Sequence, residues 1–150
     1  MKLWASARAI LMAITLRVKD LMEKNVVTVE ASTTVRDAIT TMLDSNVWSV
    51  VVTKGGLPEG VVTERDLIRR CVAKGLFPDR LPVEKIMTSP LITIGPDATI
   101  REAMSLMVEK DIRRLFVVDG GRIVGRLTQS HLFESTLDVM SSLSSLSGQL

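Results

Sequence analysis

Shifted by 65 residues, the sequence falls on itself without a gap: Val18 on Val83, Met22 on Met87, Thr34 on Thr99, Arg36 on Arg101, Ala38 on Ala103, Met42 on Met107, Gly60 on Gly125, Thr63 on Thr128 and Leu67 on Leu132. Self-similarity at a fixed period means one supersecondary unit written twice. A unit this short cannot bury its own sheet. The two copies are therefore expected to pack on each other by approximate two-fold symmetry, sheet against sheet with helices outside. Such a junction leaves clefts of the kind that take small ligands.

Each copy opens with a short β-rich stretch, NVVTVE or PLITIG. Thr34-x-x-Asp37 and Thr99-x-x-Glu102 then have capping-box spacing. The helix that follows places Val35, Ala38, Ile39, Met42 and Leu43 on one stripe, and Ile100, Ala103, Met104, Met107 and Val108 on its counterpart. A buried strand comes next, VWSVVVT or RRLFVVD, then a Gly-Gly hairpin turn, a third strand, and a second helix at Thr63 or Thr128. The fold class expected is α/β of the α+β kind, two β-α-β-β-α repeats. The boundaries are an amphipathic helix over 1–17, repeats over 18–75 and 83–138, a linker over 76–82 with two prolines, and a Ser/Leu-rich tail over 139–150.

An apolar fraction of 46% suffices for a core built from Val, Ile, Leu and Met, with aromatics at only 3%. The net charge of +2 gives no global field toward nucleic acid or membrane. One cysteine, Cys71, excludes an internal disulfide framework and suits the cytoplasm; it reads as a buried thiol without chemistry. Trp4, Ala7, Ile10, Leu11 and Ile14 recur at helical spacing near the N-terminus. That segment is too short to span a bilayer and is interrupted by Arg8; it suits packing on the protein or a second subunit, with attachment to a membrane surface as the alternative. No P-loop, G-x-G-x-x-G, H-E-x-x-H or nucleophile elbow occurs, so no enzyme is expected. A single histidine, His131, makes no metal site.

With VKDLM and VEKIM ahead of the units, TTVRDAITTML and ATIREAMSLMV within them, and IRRLFVVDGGRIVG and GVVTERDL closing them, the sequence resembles a tandem pair of CBS domains, the module named after cystathionine β-synthase. The resemblance covers roughly residues 18–135. It implies a pseudo-symmetric module, usually a homodimer of pairs, that binds adenosine-containing ligands and reports on them to a partner. An energy-sensing or other regulatory protein would follow, with AMP, ADP, ATP or S-adenosylmethionine as regulatory ligand and an unknown regulated protein as partner.

The resemblance also implies site residues. The ribose hydroxyls need a carboxylate acceptor, and the family places an aspartate at Asp66 with a hydroxyl at Thr63. Locally, Thr63-x-x-Asp66 reads equally as a helix cap, and the two roles are compatible. Arg113 and Arg114 open a strand, and guanidinium forks suit phosphate; in nucleotide-binding relatives the matching residues meet phosphate opposite the ribose acceptor of the other repeat. Pro90, Leu91 and Ile92, in the expected first strand of repeat two, would form the adenine slot, with Val61 and Ile112 as walls. Arg65 and Ser130, at helix starts, could touch phosphate. An Asp66→Ala change is then expected to weaken binding severely and leave the fold largely intact.

A second cleft would hold His131, Ser130, Thr128, Val27, Val47 and Trp48. It lacks the ribose carboxylate, so one good site and one degenerate site are expected. Two other readings stand beside the sensor. One is a dimerisation scaffold with vestigial clefts. The other is a nucleic-acid binder using Arg65, Arg69, Arg70, Arg113, Arg114, Arg122 and Arg126, against which the balanced charge and few aromatics argue.

Overall fold

The computed structural model describes residues 16–147; the amphipathic helix read in residues 1–17 lies outside the described residues apart from Leu16 and Arg17. The elements run α1 (Val18–Leu21), β1 (Thr28–Glu30), α2 (Val35–Asp44), β2 (Ser49–Lys54), β3 (Leu57–Thr63), α3 (Glu64–Asp66), β4 (Thr93–Ile94), α4 (Ile100–Glu109), β5 (Arg114–Asp119), β6 (Arg122–Thr128) and α5 (Gln129–Ser147). Two three-stranded sheets result, ordered β1-β2-β3 and β4-β5-β6. In each, the first strand pairs parallel with the second, Val29 with Val52 and Ile94 with Val117. The fold is mixed α+β, with the same β-α-β-β-α order in both halves.

Local sequence explains the elements. Thr34 accepts from the Asp37 amide, and Thr99 makes a full capping box with Glu102. The hydrogen bonds from Thr99 hold the Glu102 carboxyl below its ordinary range. Both helices end against a residue in the left-handed region, Asn46 and Asp111. The Gly55-Gly56 and Gly120-Gly121 turns have positive φ at both positions, which a two-residue hairpin of matching twist requires. The core of the first half gathers Val35, Ala38, Met42, Val50, Val52, Val62 and Cys71 with Val83 and Ile86.

The compact units do not follow the linear repeats. One gathers the described residues up to Lys24 with Thr93–Asp119 and those from Gly125 onward; the other gathers Asn25–Ile92 with Gly120–Val124. Each is completed by the lead segment that precedes the other repeat in sequence. Val83 donates to Thr33 O and Val18 to Ala98 O. Thr88 and Val61 exchange two backbone hydrogen bonds of 2.8 and 3.0 Å, as Glu23 and Arg126 do at 2.9 and 2.8 Å. The linker turn Pro78–Arg80 lies against α2, where Arg36 meets Asp79 at 2.7 Å, and the hydrogen bond from Arg36 holds the Asp79 carboxyl below its usual value. Lys19 and Asp97 pair likewise at 2.7 Å.

Four expectations change. Pro90, Leu91 and Ile92 are not in a strand: β4 is only Thr93–Ile94, because Pro90 has no N–H for a ladder and Ser89 is turned to Glu59 O at 3.0 Å. The second helix of the first repeat continues past α3 as a π-helical turn, Leu67–Cys71, and a 3-10 turn, Val72–Lys74. Its counterpart α5 is regular and runs on through Ser147, past the boundary drawn at 138. The apolar stripes also divide. Val35, Ala38 and Met42 are buried while Leu43 is 71% exposed, and Ala103 and Met107 are buried while Val108 is 80% exposed. The stripe is wider than the face the core covers.

A Cβ built on Gly60 would stand 2.5 Å from the Thr88 carbonyl oxygen, whereas on Gly125 it would meet the Met22 sulfur at 2.6 Å and the Glu23 carbonyl at 3.1 Å. A thioether can swing aside; a hydrogen-bonded backbone cannot. Gly60→Ala is therefore expected to cost about 2–3 kcal/mol by urea denaturation, and Gly125→Ala clearly less.

Candidate functional site

Thr63 ends β3 and caps α3, and this turn presents Asp66. The Asp66 side chain is tucked in, only 7% of the residue being exposed. Its Oδ2 accepts from the Thr63 amide at 2.8 Å and from the Thr63 hydroxyl at 2.9 Å. Its Oδ1 accepts from the Thr88 hydroxyl at 3.1 Å, with Arg70 Nε 3.7 Å away. Arg70 is anchored in turn, since its Nη1 donates to Ile86 O at 3.0 Å and to Met87 O at 2.6 Å. A nearly buried carboxylate is thus held by two hydroxyls, an amide and a guanidinium, all inside one compact unit. Of the two readings of Thr63-x-x-Asp66, the helix cap is made.

Around it in that unit, Val61 is half-buried in β3, Arg65 is exposed in the first turn of α3, Pro90 is exposed, and Leu91 and Ile92 are half-buried. The remaining predicted residues belong to the other unit. Ile112 is half-buried just before β5, Arg113 is exposed with its carbonyl accepting from the Gln129 amide at 2.9 Å, Arg114 is half-buried at the start of β5, and Ser130 is exposed in the first turn of α5. A shallow apolar hollow lined by Ile39, Leu43, Trp48, Glu64 and Leu67 includes neither Thr63 nor Asp66. Sequence reasoning missed Thr88 and Arg70. Thr88 follows the VEKIM motif directly, but nothing in that motif says it docks on the first repeat.

The equivalent place in the other unit is chemically different. His131 stands where Asp66 does, and its amide donates to Thr128 Oγ1 at 3.3 Å. Glu23 stands for Thr88 and Arg126 for Val61, and the two form an ion pair of 3.1 Å. A guanidinium therefore occupies the position that Val61 holds in the first repeat. Among the described residues no group of three or more His, Cys, Asp or Glu side chains could hold a metal ion, and no helix is long and apolar enough to cross a membrane.

Comparison with known families gives two matches to the CBS domain, over residues 18–73 and 83–138. The chain belongs to the CBS-domain family. The CBS domain-containing protein YhcV of Bacillus subtilis is 34% identical over 108 residues, covering 72% of this chain and 76% of its own length. An uncharacterized protein of Methanopyrus kandleri is 34% identical over 119 residues, and the match covers 78% of this chain but only 61% of the relative. Among solved structures, a conserved protein of Pyrococcus horikoshii matches with a TM-score of 0.77 at 35% identity, covering 82% of this chain and 93% of that one. A CBS-domain protein of Agrobacterium tumefaciens matches with a TM-score of 0.75 at 26% identity, covering 82% and 95%. The two matches make this chain a CBS pair, the organisation of a family of regulatory modules.

Asp66 is a structural group as well as a candidate ligand, so Asp66→Ala carries a stability cost besides its expected loss of binding. Asp66→Ala removes the acceptor of three hydrogen bonds and leaves the Thr63 amide without its cap. The expected loss is about 1–3 kcal/mol in chemical denaturation. The variant should remain folded at 25 °C, which circular dichroism checks.

Proposed function

We propose that this CBS pair is a regulatory module for an adenine nucleotide, taking the ribose on Asp66 and the phosphates on Arg113 and Arg114. The observation that carries the reading is the Asp66 carboxylate, at the family's ribose-acceptor position and pre-oriented by Thr63 and Thr88. Pre-orientation lowers the ordering cost of binding. Adenine would lie against Val61, Leu91 and Ile92, where apolar side chains are half-buried. The ligand acts by population shift, favouring the arrangement that binds it best and so altering what a regulated partner meets. The other repeat, with His131 and the Glu23–Arg126 pair, takes no adenosine at the corresponding position. The unpaired, buried Cys71 suits the cytoplasm.

Two observations weigh against a nucleic-acid surface. Arg70 is committed to the carbonyls of Ile86 and Met87, and Arg126 to Glu23, which removes two arginines from the patch that reading needs.

Calorimetry with AMP, ADP, ATP and S-adenosylmethionine tests the sensor. At least one is expected to bind, and Arg113→Ala with Arg114→Ala is expected to weaken the phosphorylated ligands by about tenfold or more, one to two lost charge-assisted contacts, while adenosine changes little. Folded protein that gives no heat with any of the four overturns the reading.

A homodimer fits the same picture. Equivalent positions of the two repeats expose apolar side chains, Leu43 and Val108, Ile68 and Phe133, Val72 and Leu137. An apolar set kept at the same positions in both copies suits an interface; a related CBS-CP12 protein at 28% identity is described as hexameric. Changing Ile68 and Phe133 together to glutamate is expected to give monomers in sedimentation-velocity runs in which the parent protein sediments as a dimer.

A further inference from the structure

The two repeats receive the incoming chain in the same way. Leu81 O accepts from the Val35 amide at 2.7 Å at the start of α2, and its equivalent Leu16 O accepts from the Ile100 amide at 3.3 Å at the start of α4. The bridge between Thr34 and Pro82 has its counterpart between Thr99 and Arg17. Ahead of Leu81, the linker turn Pro78–Arg80 lies on α2, with Asp79 on Arg36. Ahead of Leu16, the equivalent stretch, residues 13–15, falls outside the described residues. There α4 borders an open hollow lined by Ile94, Ala98, Arg101, Leu106 and Glu109.

The residues under this surface register the difference. Val29 and Val35 are buried in one unit, while their equivalents Ile94 and Ile100 are only half-buried in the other. The side chains change in one direction too. Thr33 and Thr41 beside α2, and Asp79 of the linker, correspond to Ala98, Leu106 and Ile14, so both sides of the contact turn from polar to apolar together. Residues 1–15 repeat Trp4, Ala7, Ile10, Leu11 and Ile14 at helical spacing and contain two cations, Lys2 and Arg8, and no acid. The ten residues of α4 span about 15 Å, the length of residues 6–15 as a helix. Running back from Leu16 along α4, such a helix brings Arg8 to the far end, where Glu109 and the negative end of the α4 dipole lie.

We infer that the hollow along α4 is the docking site of this chain's own residues 1–15, which lie on it as a helix antiparallel to α4, with Ile14 in the place that Asp79 takes on α2. Covalent continuity selects this occupant. The segment leads into Leu16, already bonded to Ile100, so it meets the hollow at an effective concentration that a separate chain does not reach. The segment then covers the second repeat as the linker covers the first, by apolar contact where the linker uses an ion pair. Met104 and Val108 lie on the adjoining face of α4 and stay exposed, so this docking leaves the proposed dimer surface open.

Hydrogen exchange read by mass spectrometry on the full chain tests this, with the parent set against the double variant Leu11→Lys, Ile14→Lys. In the parent, amides of residues 5–15 should exchange at least about tenfold slower than in an unstructured peptide, the scale set by covering one aliphatic side chain. The variant should lose that protection, and α4 should exchange about tenfold faster while β2 and β3 stay unchanged. Leu106→Lys, which alters the hollow and not the segment, should release residues 5–15 to the same degree. Leu106→Ser replaces it if thermal melting shows that the lysine variant does not fold. Residues 5–15 exchanging at the unstructured rate in the parent, or an α4 indifferent to the double variant, overturns the inference. Slow exchange only at concentrations where the protein sediments as an oligomer gives the hollow to a second copy, and slow exchange only with anionic phospholipid vesicles gives the segment to a membrane surface; either result overturns it as well.

Discussion

The paired hydrogen bonds between Thr88 and Val61, over a glycine at position 60, are what the rest of this half depends on. They dock the lead segment Val83–Thr88 on the edge of β3, burying Val83 and Ile86 in the first repeat's core. They bring the carbonyls of Ile86 and Met87 to Arg70, and the Thr88 hydroxyl to Asp66. Without that contact the carboxylate would keep only its cap. The contact needs a position with no side chain, because any Cβ at residue 60 would press on the Thr88 carbonyl. Fold and site therefore share one constraint, and the glycine in GVVTERDL serves both.

The repetition of that contact at Glu23 and Arg126 shows how one architecture supports two chemistries. The same pair of backbone hydrogen bonds is made in both copies, each next to a glycine, Gly60 or Gly125. Side chains at three equivalent positions differ, giving carboxylate, hydroxyl and valine in one copy and imidazole, carboxylate and guanidinium in the other. The ion pair in the second copy satisfies its own charges locally. The first copy keeps its carboxylate on hydroxyl and amide donors with one guanidinium 3.7 Å away, and that asymmetry is the reason the proposed ligand is assigned to it.

Much of this was legible beforehand. The 65-residue period, the N-caps at Thr34 and Thr99, the glycine turns and the element order follow from local rules, and local rules govern short stretches well. Asp66 was legible both as cap and as candidate acceptor, since three-residue spacing encodes the cap. The strand at Pro90–Ile92 was misread because β-branched composition outweighed the missing proline N–H. The π-helical turn at Leu67–Cys71 had no local signal, and its Arg70 is held by carbonyls 16 and 17 residues away. The apolar stripes were legible as faces, because periodicity marks which residues share a face and not which partner covers it; Leu43 and Val108 lie beyond the core's edge.

The sequence by itself determined the repeat, the family and the chemistry available at each position, because these depend on residue identity and near-neighbour spacing. Only the tertiary structure decided that each lead segment completes the repeat it does not precede, so that a threonine numbered with the second repeat stands over a carboxylate of the first. The physical reason is that backbone pairing across long loops depends on which strand edge is open and where a missing side chain lets another chain segment approach, and neither is written in the residues that are brought together.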